Sequence, residues 1–190
     1  MEMIRHLLFC IQMVGEHDLS EIEQEIHEIQ KLTEMKFLVI AIKVNSWNHD
    51  LSPWNASAVF GSEGFGDGAE YTTKSKFYSY AQTPNKTYCI GGYSMAGLFA
   101  LWAACKTNRF AAIASASPSI WFPGFLNYMK QQKIQSNCIY LSLGNKEEKT
   151  RNPMMKQVGD CIREAYAWLN EEGYNAHWNG IKVVILKNHM

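Results

Sequence analysis

The sequence has no excess of charge of either sign: 18 basic and 18 acidic residues give a formal net charge of +0 at pH 7. Proteins that hold nucleic acid or an anionic membrane surface by electrostatics carry a basic excess. The sequence also has no apolar run approaching the roughly 20 residues of a membrane-spanning helix. We therefore expect neither nucleic acid nor a membrane among its partners.

The sequence contains no C-x-x-C pair, and its five cysteines are odd in number and scattered over apolar segments. This pattern predicts buried free thiols in a reducing compartment. The short apolar run near the amino terminus is followed by an acidic helix pattern without a small-residue cleavage site, which argues against a secretory signal. We therefore predict a cytoplasmic location. No histidine or cysteine set has metal-ligand spacing, so neither a metal nor another cofactor is predicted.

The composition that remains, 47% hydrophobic and 19% charged, predicts one globular domain over residues 1–190. Two continuous apolar runs, His6–Met13 and Lys36–Val44, predict strands that are buried on both faces. Between them, apolar residues at helical spacing predict a helix, with Ser20 and Glu23 as its capping box. A strand, a helix and a strand in this order favour a parallel sheet.

The rest of the chain repeats this alternation. The predicted elements are a long loop at 45–68, a helix at Ala69–Gln82, a strand at 88–90, a helix at Met95–Lys106, a strand at Phe110–Ala116, a short helix at Phe125–Gln132, a strand at Asn137–Leu143, a helix from Asn152 to Gly173 and a strand at Ile181–Leu186. This order predicts an α/β fold with a mostly parallel central sheet and helices on both faces. The aromatic side chains of the long loop either wall a pocket or pack the loop onto the sheet edge.

One strand-to-helix junction carries a reactive side chain. The strand at 88–90 leads into Gly91-Gly92-Tyr93-Ser94-Met95-Ala96-Gly97, which has the G-x-S-x-G spacing of a nucleophile elbow with alanine at the second glycine position. Small residues let strand and helix approach, so that Ser94 is presented in a strained turn and the Met95 N–H points to a developing oxyanion. The alternatives are an ordinary glycine-rich turn and a dinucleotide-binding loop, whose G-x-G-x-x-G spacing is not met.

Other strand ends supply the partners of this serine. Chain order places the triad acid after the strand at 137–143, where Glu147 and Glu148 are both candidates. The turn after the first strand supplies the second oxyanion donor, from the backbone N–H of Met13 or Val14. A histidine is expected after the last strand.

Six segments form a set that covers roughly residues 7–179: Asp50–Trp54, Val59–Gly61, Phe65–Ala69, Gly91–Ala100, Ala116–Trp121 and Leu141–Pro153. As a set they resemble small bacterial esterases of the esterase D and enterochelin-esterase-like group of α/β-hydrolases. The resemblance implies ester hydrolysis with Ser94 as nucleophile. It places the acid on Glu147, with Glu148 as the alternative.

The end of the chain departs from that group. Its members continue from a Trp-Asn pair into a Gly-x-His-Phe segment with the catalytic histidine and then a final helix, whereas here Trp178-Asn179 is followed by the largely apolar 180–186. The expected fold is therefore a minimal α/β-hydrolase that is incomplete at its carboxyl end. We hypothesise that a shifted reading frame produced this tail, because one choice of codons for 183–190, read in another frame, encodes Gly-Ser-His-Phe. The gene sequence tests this.

Two histidines remain as candidates for the base. His189 is the predicted base and His177 the alternative; if neither reaches Ser94, the serine has no base. The main prediction is a serine carboxylic-ester hydrolase that forms an acyl-enzyme on Ser94 and acts on a small, partly polar ester. The alternatives are an impaired relative that retains only ligand binding, and an acyltransferase.

Overall fold

The described part of the chain is built around one six-stranded sheet. The computed structural model describes residues 7–16, 18–77 and 86–181. Its strands are β1 (Leu8–Val14), β2 (Phe37–Lys43), β3 (Thr87–Tyr93), β4 (Phe110–Ala116), β5 (Cys138–Gly144) and β6 (Ala176–Ile181). The strands lie in the order β2-β1-β3-β4-β5-β6, and each neighbouring pair is parallel. The predicted α/β fold with a parallel central sheet is confirmed.

Helices connect these strands. They are α1 (Ile22–Leu32), α2 (Trp47–Asp50), α3 (Ala69–Thr72), α4 (Met95–Lys106), α5 (Phe125–Lys130) and α6 (Val158–Glu171). Short 3-10 turns lie at Asp18–Ser20, Glu147–Lys149 and Met155–Gln157. In the part of the chain that the structure describes, none of the helices has the length and apolar character needed to cross a membrane.

The helices lie on both faces of the sheet. On one face, α4 is buried from Met95 to Cys105, and the Ser115 hydroxyl of β4 donates to Gly97 O at 2.8 Å. On the opposite face, Glu25 of α1 accepts a hydrogen bond from Gln12 of β1 at 3.1 Å. A helix that is apolar on all sides must be enclosed, which explains the central place of α4. Helix α1 has a single apolar stripe and no fully buried residue.

The prediction that the first two strands are buried on both faces is wrong. In β2, at the edge of the sheet, only Ile42 is buried and Leu38 is 49% exposed. Phe9, Ile11 and Met13 of β1 are buried, whereas the alternating Cys10 and Gln12 are only half-buried. Successive side chains of a strand point to opposite faces, so β1 has one enclosed face and one that α1 covers incompletely.

The predicted capping box at Ser20 is also wrong. Helix α1 starts after Glu21, whose side chain makes no capping hydrogen bond. Ser20 instead ends a 3-10 turn, because Asp18 accepts hydrogen bonds from the Gly15 N–H at its carboxylate (2.7 Å) and from the Glu21 N–H at its carbonyl (3.1 Å). Local turn chemistry of this kind competes with helix capping.

The last strand begins earlier than predicted. Strand β6 occupies Ala176–Ile181, where Ala176 is buried and Trp178 packs on Tyr166 with ring centroids 6.3 Å apart. Pairing with β5 and packing against α6 therefore form a strand from residues of weak strand propensity. Residues 182–190, which include His189, lie outside the described part of the chain.

The predicted helix at Ala69–Gln82 is helical but irregular over its described residues, Ala69 to Phe77. Helix α3 ends at Thr72, and one π-helical turn, Thr73–Phe77, continues it. The hydroxyl of Thr73 donates to Ala69 O at 2.9 Å, a local bond that distorts helices. Residues 78–85 lie outside the described part of the chain.

Candidate active site

Ser94 stands at the turn between β3 and α4. Its backbone has φ 56° and ψ −118°, a positive-φ conformation that costs a non-glycine residue about 1–3 kcal/mol. Three hydrogen bonds hold it: the Ser94 N–H donates to Ala116 O at 3.1 Å, and Ser94 O accepts from the N–H groups of Leu98 and Ser119, each at 3.0 Å. Contacts from α4, from β4 and from the segment after β4 thus maintain the strain.

Small residues give this turn the space that it needs. A Cβ on Gly92 would lie 2.5 Å from Ala96 Cβ, and a Cβ on Gly97 would lie 3.0 Å from Gly92 O. Both distances are at or below hard-sphere contact. The strand and the helix approach as closely as the G-x-S-x-A-G spacing predicts, with Ser94 between them.

Two backbone N–H groups were predicted to bind an oxyanion. Met95 is the first residue of α4, and N–H groups in the first turn of a helix have no carbonyl partner within that helix. Met13 follows the Gln12–Gly91 pair of β1 and β3, and it borders a cavity of about 230 Å³ together with Tyr93. Both residues therefore lie at the carboxyl end of the central strands, where Ser94 also lies.

Ser119 is the hydrogen-bond partner of the Ser94 side chain. The Oγ atoms of the two serines are 3.2 Å apart, and Ser119 is only 2% exposed. From the sequence alone Ser119 has no assigned role. The signal that could have found it is the Ser-Pro-Ser sequence at 117–119, which directly follows β4 at the same edge of the sheet.

The two candidate acids point in different directions. Glu147 accepts a hydrogen bond from Ser117 Oγ, and burial together with the negative charge of Glu147 raises the pKa of Tyr93, the residue before the turn serine. Glu148 pairs instead with Arg163 of α6, at 3.1 Å between Oε2 and Nη2. Glu147 therefore faces the edge of the sheet that carries the serine, and Glu148 faces α6.

Ser117 ties Glu147 to the sheet. Its backbone φ is 41°, its N–H donates to Ser142 O at 2.8 Å, and its Oγ accepts from the Gly144 N–H at 3.3 Å. Ser119 follows two residues later. One short segment thus contacts both the predicted nucleophile and the predicted acid.

His177, the alternative base, is far from Ser94. It lies in β6 opposite Tyr140 of β5, and β6 is three strands away from β3 in the sheet. At about 4.8 Å per strand, three strands correspond to roughly 14 Å. His177 therefore does not meet the geometric requirement of a nucleophile–base hydrogen bond.

The other described histidines also have different surroundings. His27 is exposed on α1, and the His49 ring hydrogen-bonds Asp50 in α2 at 3.1 Å. Among the described residues, no imidazole nitrogen lies within hydrogen-bond distance of Ser94 Oγ, whose partner is Ser119. The histidines outside the described residues are His6, His17 and the predicted base His189.

The long loop at 45–68 packs against the segment that follows β4. Trp54 Nε1 donates to Pro123 O at 3.0 Å, and the centroids of the Trp54 and Phe122 rings are 5.6 Å apart. The Phe65 ring meets Phe122 edge to face at 5.2 Å. These aromatic side chains fasten the loop to the fold, which was one of its two predicted roles.

The cysteines do not take part in this site. All five are free, as predicted, but only Cys105 is fully buried, and the others are half-buried. Burial raises the pKa of Cys89 to about 11 and that of Cys105 to about 12, so both are protonated at neutral pH and are poor nucleophiles. In residues 7–16, 18–77 and 86–181, no group of three or more His, Cys, Asp or Glu side chains could hold a metal ion.

Solved structures share this fold, whereas no family model and no curated protein matches the chain. The siderophore hydrolase EstA from Aspergillus nidulans has a TM-score of 0.70 and 18% identity, covering 95% of this chain and 77% of its own. A ferulic acid esterase has a TM-score of 0.60 and 13% identity, with coverages of 96% and 78%. Acyl-protein thioesterase 2 from Zea mays has a TM-score of 0.57 and 13% identity, with coverages of 95% and 85%. The chain has the α/β-hydrolase fold.

Proposed function

We propose that the protein is a carboxylic-ester hydrolase of the esterase D and enterochelin-esterase-like group, and that it forms an acyl-enzyme on Ser94. The observation that carries this proposal is the position of Ser94, in a positive-φ turn at the carboxyl end of a central parallel strand. Open α/β sheets place their active groups at this end. The names of the similar structures, which include an esterase, a thioesterase and a siderophore hydrolase, support the same class of reaction.

The proposed reaction proceeds in two halves. Ser94 Oγ attacks the ester carbonyl carbon while a general base takes its proton, and the N–H groups of Met95 and Met13 stabilise the oxyanion. The bond to the leaving oxygen then breaks, the base returns the proton to that oxygen, and the acyl group stays on Ser94. Water attacks the acyl-enzyme in the same manner and releases the carboxylic acid.

In this proposal Glu147 is the triad acid and His189 is the base. The carboxylate of Glu147 is fixed by Ser117, and its charge acts on Tyr93 beside the nucleophile. A carboxylate in this place orients the imidazole and stabilises its protonated form. Glu148 is less suited, because Arg163 draws its carboxylate toward α6.

A fluorophosphonate probe tests the role of Ser94. The probe forms a phosphonyl ester with an activated serine and releases fluoride. We expect one adduct in the wild-type protein, located at Ser94 by peptide mass spectrometry, and none in Ser94→Ala. Ser142→Ala, a substitution of another buried serine of the sheet, is expected to label like the wild type. No adduct, together with no turnover of p-nitrophenyl acetate, would overturn the proposal.

A pair of substitutions tests the choice of acid. Glu147→Gln keeps the shape of the side chain but removes its charge, so we expect kcat for p-nitrophenyl acetate to fall by up to about 10⁴-fold. Glu148→Gln is the matched control, and it loses only an exposed ion pair with Arg163, which contributes about 0–1 kcal/mol to stability. Equal losses in both variants, or a larger loss in Glu148→Gln, would contradict the assignment.

A ligand-binding protein without turnover is the second candidate. It is favoured by one observation: no described imidazole reaches Ser94. A site without its histidine retains weak catalysis through oxyanion binding. In that case p-nitrophenyl acetate turnover would be barely above the background reaction, while a carboxylate product analogue would still raise the Tm.

A further inference from the structure

Ser119 contacts Ser94 through both its backbone and its side chain. The Ser119 N–H donates to Ser94 O at 3.0 Å, and the two Oγ atoms are 3.2 Å apart. Because one residue supplies both contacts, the position of the Ser119 hydroxyl is fixed relative to the strained turn and to the hydroxyl that the turn presents.

The segment around Ser119 is itself held in place. The Ile120 N–H donates to Pro118 O at 2.7 Å, and the Phe122 N–H donates to Ser119 O at 2.9 Å. Ile120 and Phe122 are each 1% exposed, so buried apolar side chains anchor the segment directly after Ser119. The Ser119 hydroxyl therefore has little freedom to move away from Ser94.

The chemistry of a hydroxyl suits this place. Ser119 is 2% exposed, and most buried hydroxyls are hydrogen-bonded because leaving one unpaired is costly. A hydroxyl both accepts and donates. Either oxygen of the Ser94–Ser119 pair could be the donor, so the Ser119 hydroxyl is able to donate to Ser94 Oγ once a base has begun to take the Ser94 proton.

We infer that Ser119 is a positioning residue, whose hydroxyl holds Ser94 Oγ in the orientation of attack and stabilises the negative charge that develops there. The inference rests on the proposed nucleophilic role of Ser94. Ser119 transfers no proton in this scheme: the Ser94 proton passes to the base, and the Ser119 proton stays on its own oxygen throughout. The Ser119 hydroxyl accelerates the chemical step and leaves substrate affinity unchanged.

Labelling kinetics with a fluorophosphonate test the inference. For Ser119→Ala we expect kinact to fall at least about tenfold, which corresponds to about 1.4 kcal/mol, while KI stays at the wild-type value. Ser142→Ala is the matched control: Ser142 is 1% exposed and its hydroxyl makes no hydrogen bond among the described residues. Its kinact and KI are expected to equal those of the wild type.

A second variant separates positioning from a merely structural role. Ser119→Thr keeps the hydroxyl, so we expect it to recover most of the kinact that Ser119→Ala loses. Rates are compared only between variants whose circular dichroism spectra match that of the wild type. If Ser119→Ala does not fold, Ser119→Cys, which keeps the size but has a much weaker hydrogen-bond donor, takes its place: a kinact reduced at least about tenfold supports the inference, and a kinact near the wild-type value overturns it.

The two proposals fail in distinguishable ways. If the wild-type protein labels at Ser94 and folded Ser119→Ala labels as fast as Ser142→Ala, only the role of Ser119 is overturned. A parallel change in KI in Ser119→Ala would also overturn it, because it would show a distorted pocket. If the wild-type protein does not label at all, the nucleophilic role of Ser94 falls, and the role of Ser119 falls with it.

Discussion

Gly92 sets how closely β3 and α4 approach each other. Its φ is not positive, so the need for glycine here is one of space: a Cβ would lie 2.5 Å from Ala96 Cβ and 2.8 Å from Ala96 O. We expect Gly92→Ala to lower the free energy of unfolding by about 1–3 kcal/mol, as overpacking does. Because the turn must shift to admit the methyl group, we also expect slower fluorophosphonate labelling of Ser94. Urea denaturation and labelling rates measure the two effects.

Gly180 provides the control for this substitution. A Cβ at Gly180, in β6, would meet no described atom within 4 Å, so we expect Gly180→Ala to change the free energy of unfolding by no more than about 0.5 kcal/mol. If Gly92→Ala proved as stable as Gly180→Ala, the close approach of β3 and α4 would not restrict this position.

At the scale of residues, the sequence reveals those parts of the site whose residues are neighbours in the chain. Ser94 and its small neighbours are recognisable because the turn is defined by six consecutive positions. The partners of the site are not local: Ser94 and Ser119 are 25 residues apart, and Ser117 and Glu147 are 30 apart. Only the register of neighbouring strands brings them together, and no spacing in the sequence encodes that register.

Helix α2 is held at its start by one carboxylate. Asp50 Oδ2 accepts from the N–H groups of Asn45 and Ser46, each at 3.2 Å, and Asp50 Oδ1 lies 3.1 Å from His49 Nδ1. Burial alone would raise the pKa of Asp50, but these hydrogen bonds together hold the pKa below its ordinary value. The stability that Asp50 contributes is therefore complete above its unfolded pKa of about 3.9. It is lost as pH falls through the lower pKa of the folded state.

This linkage gives a pH-dependent expectation for Asp50→Ala. At pH 7 we expect a loss of about 1–2 kcal/mol in the free energy of unfolding, from the hydrogen bonds to the carboxylate. At pH 3 the loss should be smaller, because this pH lies below the unfolded pKa of about 3.9 and the unfolded chain then binds a proton that folding must release. Glu63→Ala, at an exposed position of the same loop, is the control and should lose little stability at pH 7. An undiminished loss at pH 3 would contradict the role given to the charge.

At the scale of elements, the sequence predicts those whose signals are strong and local. The apolar runs mark β1, β2 and β4, and the end of α6 follows from Gly173, whose φ is 79°. The predicted start of the last helix at Asn152 is wrong, because α6 begins at Val158. The Asn152 side chain instead accepts from the N–H groups of Met154 and Met155 in the turn that precedes α6. The sequence does not predict β6, because Ala-His-Trp-Asn-Gly-Ile has weak strand propensity. These residues form a strand because they pair with β5.

At the scale of the whole molecule, one sheet connects the described chain from Leu8 to Ile181. We propose that it forms a single domain, and we expect one cooperative transition in urea, with the same midpoint by far-ultraviolet circular dichroism and by tryptophan fluorescence. The six tryptophans report on the long loop, on α4, on the segment after β4, on α6 and on β6. Two separate midpoints would show that parts of the chain unfold independently.

The strand order β2-β1-β3-β4-β5-β6 also has a consequence for synthesis on the ribosome. Strand β3 joins the free edge of β1, and from β4 onward each new strand joins the edge of the one before it, so the sheet is able to grow in the order of translation. The turn of Ser94 needs Ala116 O and the Ser119 N–H, which emerge later than the serine itself. A nascent chain that stops before residue 119 therefore carries the serine without the geometry that presents it, and the reactive arrangement arises only after most of the sheet has been made.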